Sequence, residues 1–423
     1  MAHSTLSSKM TSLLSARKAN SAFRTLTVSP PTSKDFSSND FLSLSTSPVL
    51  RTAYLSELTS HPDFRLGSSG SRLLDGNSLY AETLEKEIAE FHGAEAALLF
   101  NSGFDANEGL FACVPQRGDV VVYDAFIHAS VHEGMRLSRA GRKVMFEHNS
   151  VPDLERVLSE LARDEEVRDG ERNVFVAVES LYSMDGDLCP LKEIVELVER
   201  MLPNGNGHII VDEAHSNGIY GSQGRGVVCS LGLEDRIFAR LHTFGKAIGC
   251  NGAAILCSPL TRAYLINYAR PLIYTTAMSF PSLAAIKVVY GLMKDGTTVP
   301  LIWHLNSLIT HMYEQLLTLQ PLTTDSALLR LPQSLPNSPI FALLTPEPRS
   351  LAKWCQAAGF VVRPIVPPTV PEGTQRVRVC LHAGNSKQEV EALVASIRAW
   401  LIARRRAESA EGIVESLDVK ARL

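Results

Sequence analysis

The chain has 423 residues, 45% of them hydrophobic and 20% charged, which exceeds one ordinary domain and suffices to bury a substantial core. A net charge of −4 gives no general electrostatic reason to bind nucleic acid, and no apolar run reaches the roughly 18 residues of a membrane-spanning helix. Seven cysteines, an odd number without paired metal-ligand spacing, point to reduced thiols in an intracellular compartment and to no metal site.

Residues 1–45 read as an amino-terminal arm, serine-rich at first and helical through Leu13–Asn20. From 46 to 295 strands alternate with amphipathic helices, Thr83–Glu90 among them, predicting a large doubly wound α/β domain with a mostly parallel sheet. Ala96–Phe100 reads as a strand, and Asn101–Asn107 then opens a helix. The amides of Gly103 and Phe104 fall at that helix N-terminus, where the dipole favours an anion, and Ser102 adds a hydroxyl. A turn that merely needs a glycine has the same look. Gly207–Asp212 is a β-branched apolar run, a buried parallel strand with Asp212 at its carboxyl end, where ligands of open α/β sheets bind. The competing role for Asp212 is a helix N-cap. Lys246 follows 34 positions later, between Gly245 and a second glycine at 249 that permit close approach of a ligand. Residues 296–402 predict a smaller α/β domain in which the proline-rich 364–371 segment is a loop between strands, and 403–423 is a charged tail. No internal repeat is present.

Neither Asp212 nor Lys246 is informative alone. Together they supply an amine able to form a Schiff base and a carboxylate able to keep a pyridine nitrogen protonated, the two groups that pyridoxal phosphate chemistry requires. Four more segments accompany them: Tyr123–Ser130, Val178–Asp187, Gly221–Gly226 and Leu272–Met278. With these, residues 10–402 resemble the α-oxoamine synthase family of fold-type I pyridoxal phosphate enzymes, and the motifs Ser-Met-Asp-Gly-Asp and Gly-Ser-Gln-Gly-Arg-Gly are long enough to make coincidence a poor explanation.

The resemblance implies a role for each matching position. Lys246 corresponds to the Schiff-base lysine, which also serves as general base, and Asp212 to the partner of the pyridine nitrogen. His128 corresponds to the residue stacked on the ring, His215 to the donor toward its phenolic oxygen, and Ser183 to a further polar contact. Ser102, Gly103, Phe104 and Thr243 correspond to a phosphate cradle that Thr275 and Thr276 of a neighbouring subunit complete, so a homodimer is expected. Arg378 corresponds to the arginine that holds the amino acid carboxylate, a task suited to its planar fork. Arg24, Asn39 and Thr369 correspond, with His128, to substrate-contacting positions. The implied reaction condenses L-alanine with pimeloyl-CoA, releasing CoA and carbon dioxide. A ring-stacking or ligand role is not assigned to His132 or His382, which read as structural.

The chain departs from the family pattern at Phe41, often tyrosine, at Ser43, often glycine, at Ala81, often histidine, and at Val366, where bacterial members carry arginine. Arg363, three positions earlier, is the available substitute. Other members of the family, with another amino acid or acyl-CoA, remain the alternative. A non-catalytic partner subunit of this fold would be expected to lack Lys246, and a dinucleotide-binding domain would carry a Gly-x-Gly-x-x-Gly turn that is absent here. Two addresses compete. Ala421-Arg422-Leu423 is a variant of the peroxisomal Ser-Lys-Leu signal, which predicts the peroxisomal import receptor as a partner. The first 34 residues contain no Asp or Glu and have the composition of a mitochondrial transit peptide. Cleavage there would remove Arg24, so the peroxisome is the expected location, with cytoplasm or mitochondrion as alternatives.

Overall fold

Seven short runs dominated by Val, Ile, Leu, Ala and Phe form the central sheet of the computed structural model, which describes residues 5–20, 23–323 and 327–420 and side chains as far as 407. They are β1 Ala96–Phe100, β2 Val120–Asp124, β3 Arg142–Phe146, β4 Val174–Glu179, β5 Gly207–Asp212, β6 Ala239–Thr243 and β7 Ala253–Cys257. The sheet order is β1-β7-β6-β5-β4-β2-β3, and β7 is antiparallel to both neighbours while the remaining pairs are parallel. Side chains alternate between two cores: Val174, Val176 and Val178 of β4 enter one apolar cluster, Phe175 and Ala177 the other. Such period-two segregation with burial on both faces is why these strands read as continuous apolar runs. The predicted doubly wound α/β fold is the one observed, and the predicted strands 96–100 and 207–212 match β1 and β5 end to end.

The chain divides into two compact units, 1–33 and 34–423. The first contains α1, Thr5–Ala19, none of whose side chains is buried, and the ammonium of Lys18 lies 4.9 Å from the ring centroid of Phe23. Residues 34–45, read above as part of the arm, belong to the second unit. Phe36, Phe41, Leu42 and Leu44 are buried there, and Lys34–Asp35 pairs in parallel with Phe360–Val361.

Within the second unit, α2 (Leu79–Phe91) is capped by the Ser78 hydroxyl, which accepts from the Ala81 amide, and it buries Ala81, Leu84, Glu85 and Ile88 at helical spacing. Two further helices, α3 (Gly103–Cys113) and α4 (Ala129–Leu137), follow β1 and β2 and begin at their carboxyl ends. A second, antiparallel sheet joins β8 (Ile340–Leu344), β9 (Arg363–Ile365) and β10 (Arg376–Cys380) in the order β9-β10-β8. Of the proline-rich stretch 364–371, read above as a loop, Pro364 and Ile365 belong to β9 and the remainder is the loop between β9 and β10. The long helix α5, Lys387–Lys420, continues through the charged tail, while Ala421, Arg422 and Leu423 lie outside the described residues. No described helix is long and apolar enough to cross a membrane.

Candidate active site

The carboxyl ends of β1, β2, β4, β5 and β6 deliver most of the predicted site. Parallel strands end in register, so residues remote in sequence emerge side by side: Glu179 and Asp212 are paired positions of β4 and β5. Asp212 is 6% exposed, and its two oxygens accept hydrogen bonds from the Asn107 amide at 2.8 Å and the Ala214 backbone N–H at 2.9 Å. It is therefore fixed by donors, and does not cap a helix. Lys246 lies just past β6. Burial pulls its ammonium down to about 8, against the opposing attraction of Asp212 and Glu179. An amine so placed is partly neutral near pH 7, as a nucleophile or general base must be.

His128, His215 and Arg378 join the same electrostatic cluster. His128 precedes α4, and burial holds its imidazole below the ordinary range, with Asp212 opposing. His215 is held well below that range by burial first and then by Lys246, Arg378 and His128. Its Nδ1 is buried and accepts no partner among the described residues, and Nε of Arg378 is likewise buried without one. The Nη2 of Arg378 donates to Asn39 Oδ1 at 2.7 Å, which brings those two predicted residues together. Phe41, at 6.1 Å between ring centroids, packs against His215.

Gly103 and Phe104 open α3, where the first amides have no intrahelical acceptor. A Cβ on Gly103 would stand 3.4 Å from Thr243 Cβ, an ordinary contact distance, so the predicted cradle residues are adjacent. Ser102 is otherwise engaged: its hydroxyl accepts from the Asp105 amide as the helix cap and donates to the Asp105 carboxylate at 2.7 Å. Within this chain Thr275 Oγ1 and the Thr276 carbonyl accept from the Asn101 amide, two residues before Gly103. Ser183 sits in the turn after β4. Thr369 is exposed on the loop between β9 and β10, where its amide donates to the Val366 carbonyl, and no described hydrogen bond ties it to the cluster. Arg24 lies in the first unit and is exposed there.

Several residues that hold this arrangement carried no role in the sequence reading. Glu179 ends an unbroken apolar strand just as Asp212 does, which was the available signal. Burial, and then the nearby Asp212 charge, push its carboxyl well above the usual range. Glu213 faces the other way: its buried carboxylate accepts from His242, Ser216 and the Val228 amide. Gly226 is needed there, because at φ 98° a Cβ would fall 2.7 Å from Glu213 Oε1. The Gly221–Gly226 motif thus clasps the strand end that presents Asp212. The Ser183–Asp187 turn is pinned twice, by Arg376, which pairs with Asp185 and donates to the Met184 carbonyl at 3.1 Å, and by His148. His382 is structural as read, bonding the Ser38 hydroxyl and the Asp35 carbonyl, and His132 stands edge-on to Tyr123.

His148 donates from both ring nitrogens, to Asp124 and to Asp187, each at 2.8 Å, so it is a cation. Burial opposes its charge, but the two carboxylates raise it to about 9. The pair ties the end of β2, which leads to His128, to the turn that carries Ser183. A folded-state value above the unfolded one near 6.5 means stabilisation that is fully present below that pH and is lost as pH rises through about 9. We expect the wild type to lose on the order of 1–2 kcal/mol more than His148→Gln between pH 6.5 and 9.5, measured by denaturant titration. Parallel pH profiles of the two proteins would dispose of the idea.

Residues 33–397 match the family described as Aminotransferase class I and II. The chain is 54% identical over 380 residues to the 8-amino-7-oxononanoate synthase of Emericella nidulans, covering 89% of this chain and 92% of that protein. It is 41% identical to the aminoacyl transferase sphA of Aspergillus fumigatus, covering 86% and 80%. The solved Sphingomonas wittichii serine palmitoyltransferase superposes with a TM-score of 0.80 at 27% identity, covering 95% of this chain and 99% of that one. Sheet order, cluster and kinship agree: the chain belongs to the aminotransferase class I and II family, in its fold-type I α-oxoamine synthase branch.

Proposed function

We propose that this chain catalyses the pyridoxal phosphate-dependent condensation of L-alanine with pimeloyl-CoA to 8-amino-7-oxononanoate, CoA and carbon dioxide. The observation that carries the proposal is the single cluster of Lys246, Asp212, His128, His215 and Arg378 at the strand ends. The relative at 54% identity bears the corresponding name. The residues fit the cofactor. Gly103 and Phe104 amides with the Thr243 hydroxyl suit a phosphate, the Asp212 carboxyl group suits a protonated ring nitrogen, and the partnerless Nδ1 of His215 suits a ring substituent. When bound, that group supplies an electron sink for a carbanion at the amino acid Cα.

The protein's own part is to place and move protons. Lys246 Nζ takes the Cα proton, a step that its depressed basicity favours. Arg378 orients the alanine carboxylate through a planar fork whose Nε has no other claim on it. His128 covers the ring face. A second copy of the chain brings its Thr275 and Thr276 to the phosphate; the exposed Tyr268, Tyr274 and Leu137 beside Thr275 provide apolar surface for such an interface.

Arg363 offers a group for the far end of the acyl chain. It stands opposite Arg378 in the β9–β10 register, on the same face, and its guanidinium has no hydrogen bond or ion pair among the described residues. A dicarboxylic acyl chain presents a second carboxylate, which a fatty acyl chain lacks. Arg363→Gln is expected to raise KM for pimeloyl-CoA by about tenfold and leave KM for alanine near its wild-type value, since one charged hydrogen bond contributes roughly 1.5 kcal/mol. The function itself is tested by following thiol release from pimeloyl-CoA and from palmitoyl-CoA with alanine, glycine and serine in turn. Alanine- and pimeloyl-selective release is the expected result; faster turnover of the fatty thioester would move the chain to another α-oxoamine synthase activity.

A further inference from the structure

Asn107 and Ser130 are buried polar side chains beside the site, 1% and 0% exposed, and the sequence resemblance assigns neither a role. Asn107 lies on the inner face of α3 and Ser130 in the first turn of α4. The Asn107 amide nitrogen donates both its hydrogens, one to Ser130 Oγ at 2.9 Å and one to Asp212 Oδ2 at 2.8 Å. The carboxylate decides the orientation of that amide: turned over, its oxygen would face Asp212 with two acceptors and no proton between them.

The rest follows by counting hydrogens. Because Asn107 donates into Ser130 Oγ, the single hydroxyl hydrogen of Ser130 is left for His128 Nδ1, 2.8 Å away. The backbone N–H of Ser130 points at the same nitrogen from 3.2 Å. Two donors on one nitrogen require it to be bare, so the imidazole is neutral and carries its hydrogen on Nε2. Burial, which lowers the basicity of His128, acts in the same direction.

We propose that Asn107 is a positioning residue that, with one amide group, fixes Oδ2 of Asp212 and, through Ser130, holds His128 as the neutral Nε2–H tautomer. This rests on the assignment of Asp212 and His128 to the cofactor ring. A neutral imidazole covers an electron-poor pyridinium without charge repulsion, whereas a cation there would oppose the protonated nitrogen that Asp212 maintains. The ring's two attendants are therefore set by one side chain, and a disturbance at Asn107 reaches both.

The first measurement is made on the cofactor-free full-length protein: ring nitrogen shifts of the histidines, with His128 assigned by its loss in His128→Gln. The expected spectrum shows bare Nδ1 and protonated Nε2 in the wild type and a mixture of tautomers in Asn107→Ala. Protonated Nδ1 in the wild type overturns the proposal. The second uses protein loaded with pyridoxal phosphate: Asn107→Ala is expected to weaken cofactor binding about tenfold and to shift the pH midpoint of the cofactor's absorbance change. It should also lower kcat more than it raises KM for alanine. Binding, midpoint and tautomer all at wild-type values would likewise overturn it. Ser130→Ala, a smaller change, serves if Asn107→Ala does not fold; it must also move the absorbance midpoint, because it severs Asn107 from His128. A wild type that binds no pyridoxal phosphate sinks the functional reading, while the tautomer result stands on its own.

Discussion

Lys246→Ala is expected to lower the rate of product formation by at least about 10³-fold, while the protein still folds and retains pyridoxal phosphate non-covalently. The size follows from two losses at once, the covalent anchor and the proton acceptor, each of which contributes orders of magnitude in comparable sites. Retention follows because Gly103, the Asp212 carboxylate and His128 lie on other strands and helices, and Thr243 on the strand before the lysine, held by contacts that do not involve its amine. Removing a buried ammonium that has no hydrogen bond among the described residues also relieves a desolvation cost, so thermal stability should hold or rise slightly. The basicity of Lys246 gives an independent check on the wild type. An amine near 8 is about 10% neutral at pH 7, against roughly 0.03% for an ordinary lysine, so Lys246 should be the fastest lysine to react with a small aldehyde in cofactor-free protein. A Lys246→Ala protein that turns over at more than a hundredth of the wild-type rate would remove the lysine from the chemistry.

The two ends of the site differ in how readable they were. Asp212 and Lys246 were legible because the signal is local: a β-branched run that stops at a carboxylate, and a lysine among small residues after the next strand. The sheet then made them neighbours by a rule that needs no side-chain detail, since parallel strands end together. What escaped was held by partners far apart in the chain. Arg376 finds Asp185 across 191 positions, His148 finds Asp124 and Asp187 across 24 and 39, and Asn107 finds Asp212 across 105. A polar residue on a helix or a turn gives no hint of such a mate. The motifs chosen as family marks, Gly221–Gly226 and Ser183–Asp187, prove to be clasps: backbone that must approach a buried Glu213 or be pinned by Arg376 tolerates few residues. Ser102 shows what proximity in sequence leaves out, since its hydroxyl caps α3 and donates to the Asp105 carboxylate.

Asp212→Asn gives the sharpest separation of charge from shape. The substitution is nearly isosteric, and its side-chain oxygen can still accept from either Asn107 or the Ala214 amide, so the fold should survive with a loss of about 1–2 kcal/mol for the donor left without a partner. Catalysis should not survive. A pyridine nitrogen no longer held as a cation withdraws electrons far less well, and we expect kcat/KM to fall by about 10³-fold or more, equivalent to roughly 4 kcal/mol of transition-state stabilisation. Two titrations move in predictable directions. Asp212 raises the pKa of both the Lys246 ammonium and the Glu179 carboxyl, so losing its charge should bring both values down: the lysine becomes a weaker base, and Glu179 ionises at lower pH. Glu179, paired in register beside position 212, would then be the carboxylate left at the end of the adjacent strand. If it takes over the partnership with the ring nitrogen, Asp212→Asn will keep substantial activity and Asp212→Asn with Glu179→Gln will lose it. We expect the opposite, because Glu179 already receives the His128 backbone amide and sits one strand away from Asp212; a single mutant within tenfold of wild type would show that the carboxylate at 212 is not the ring's partner.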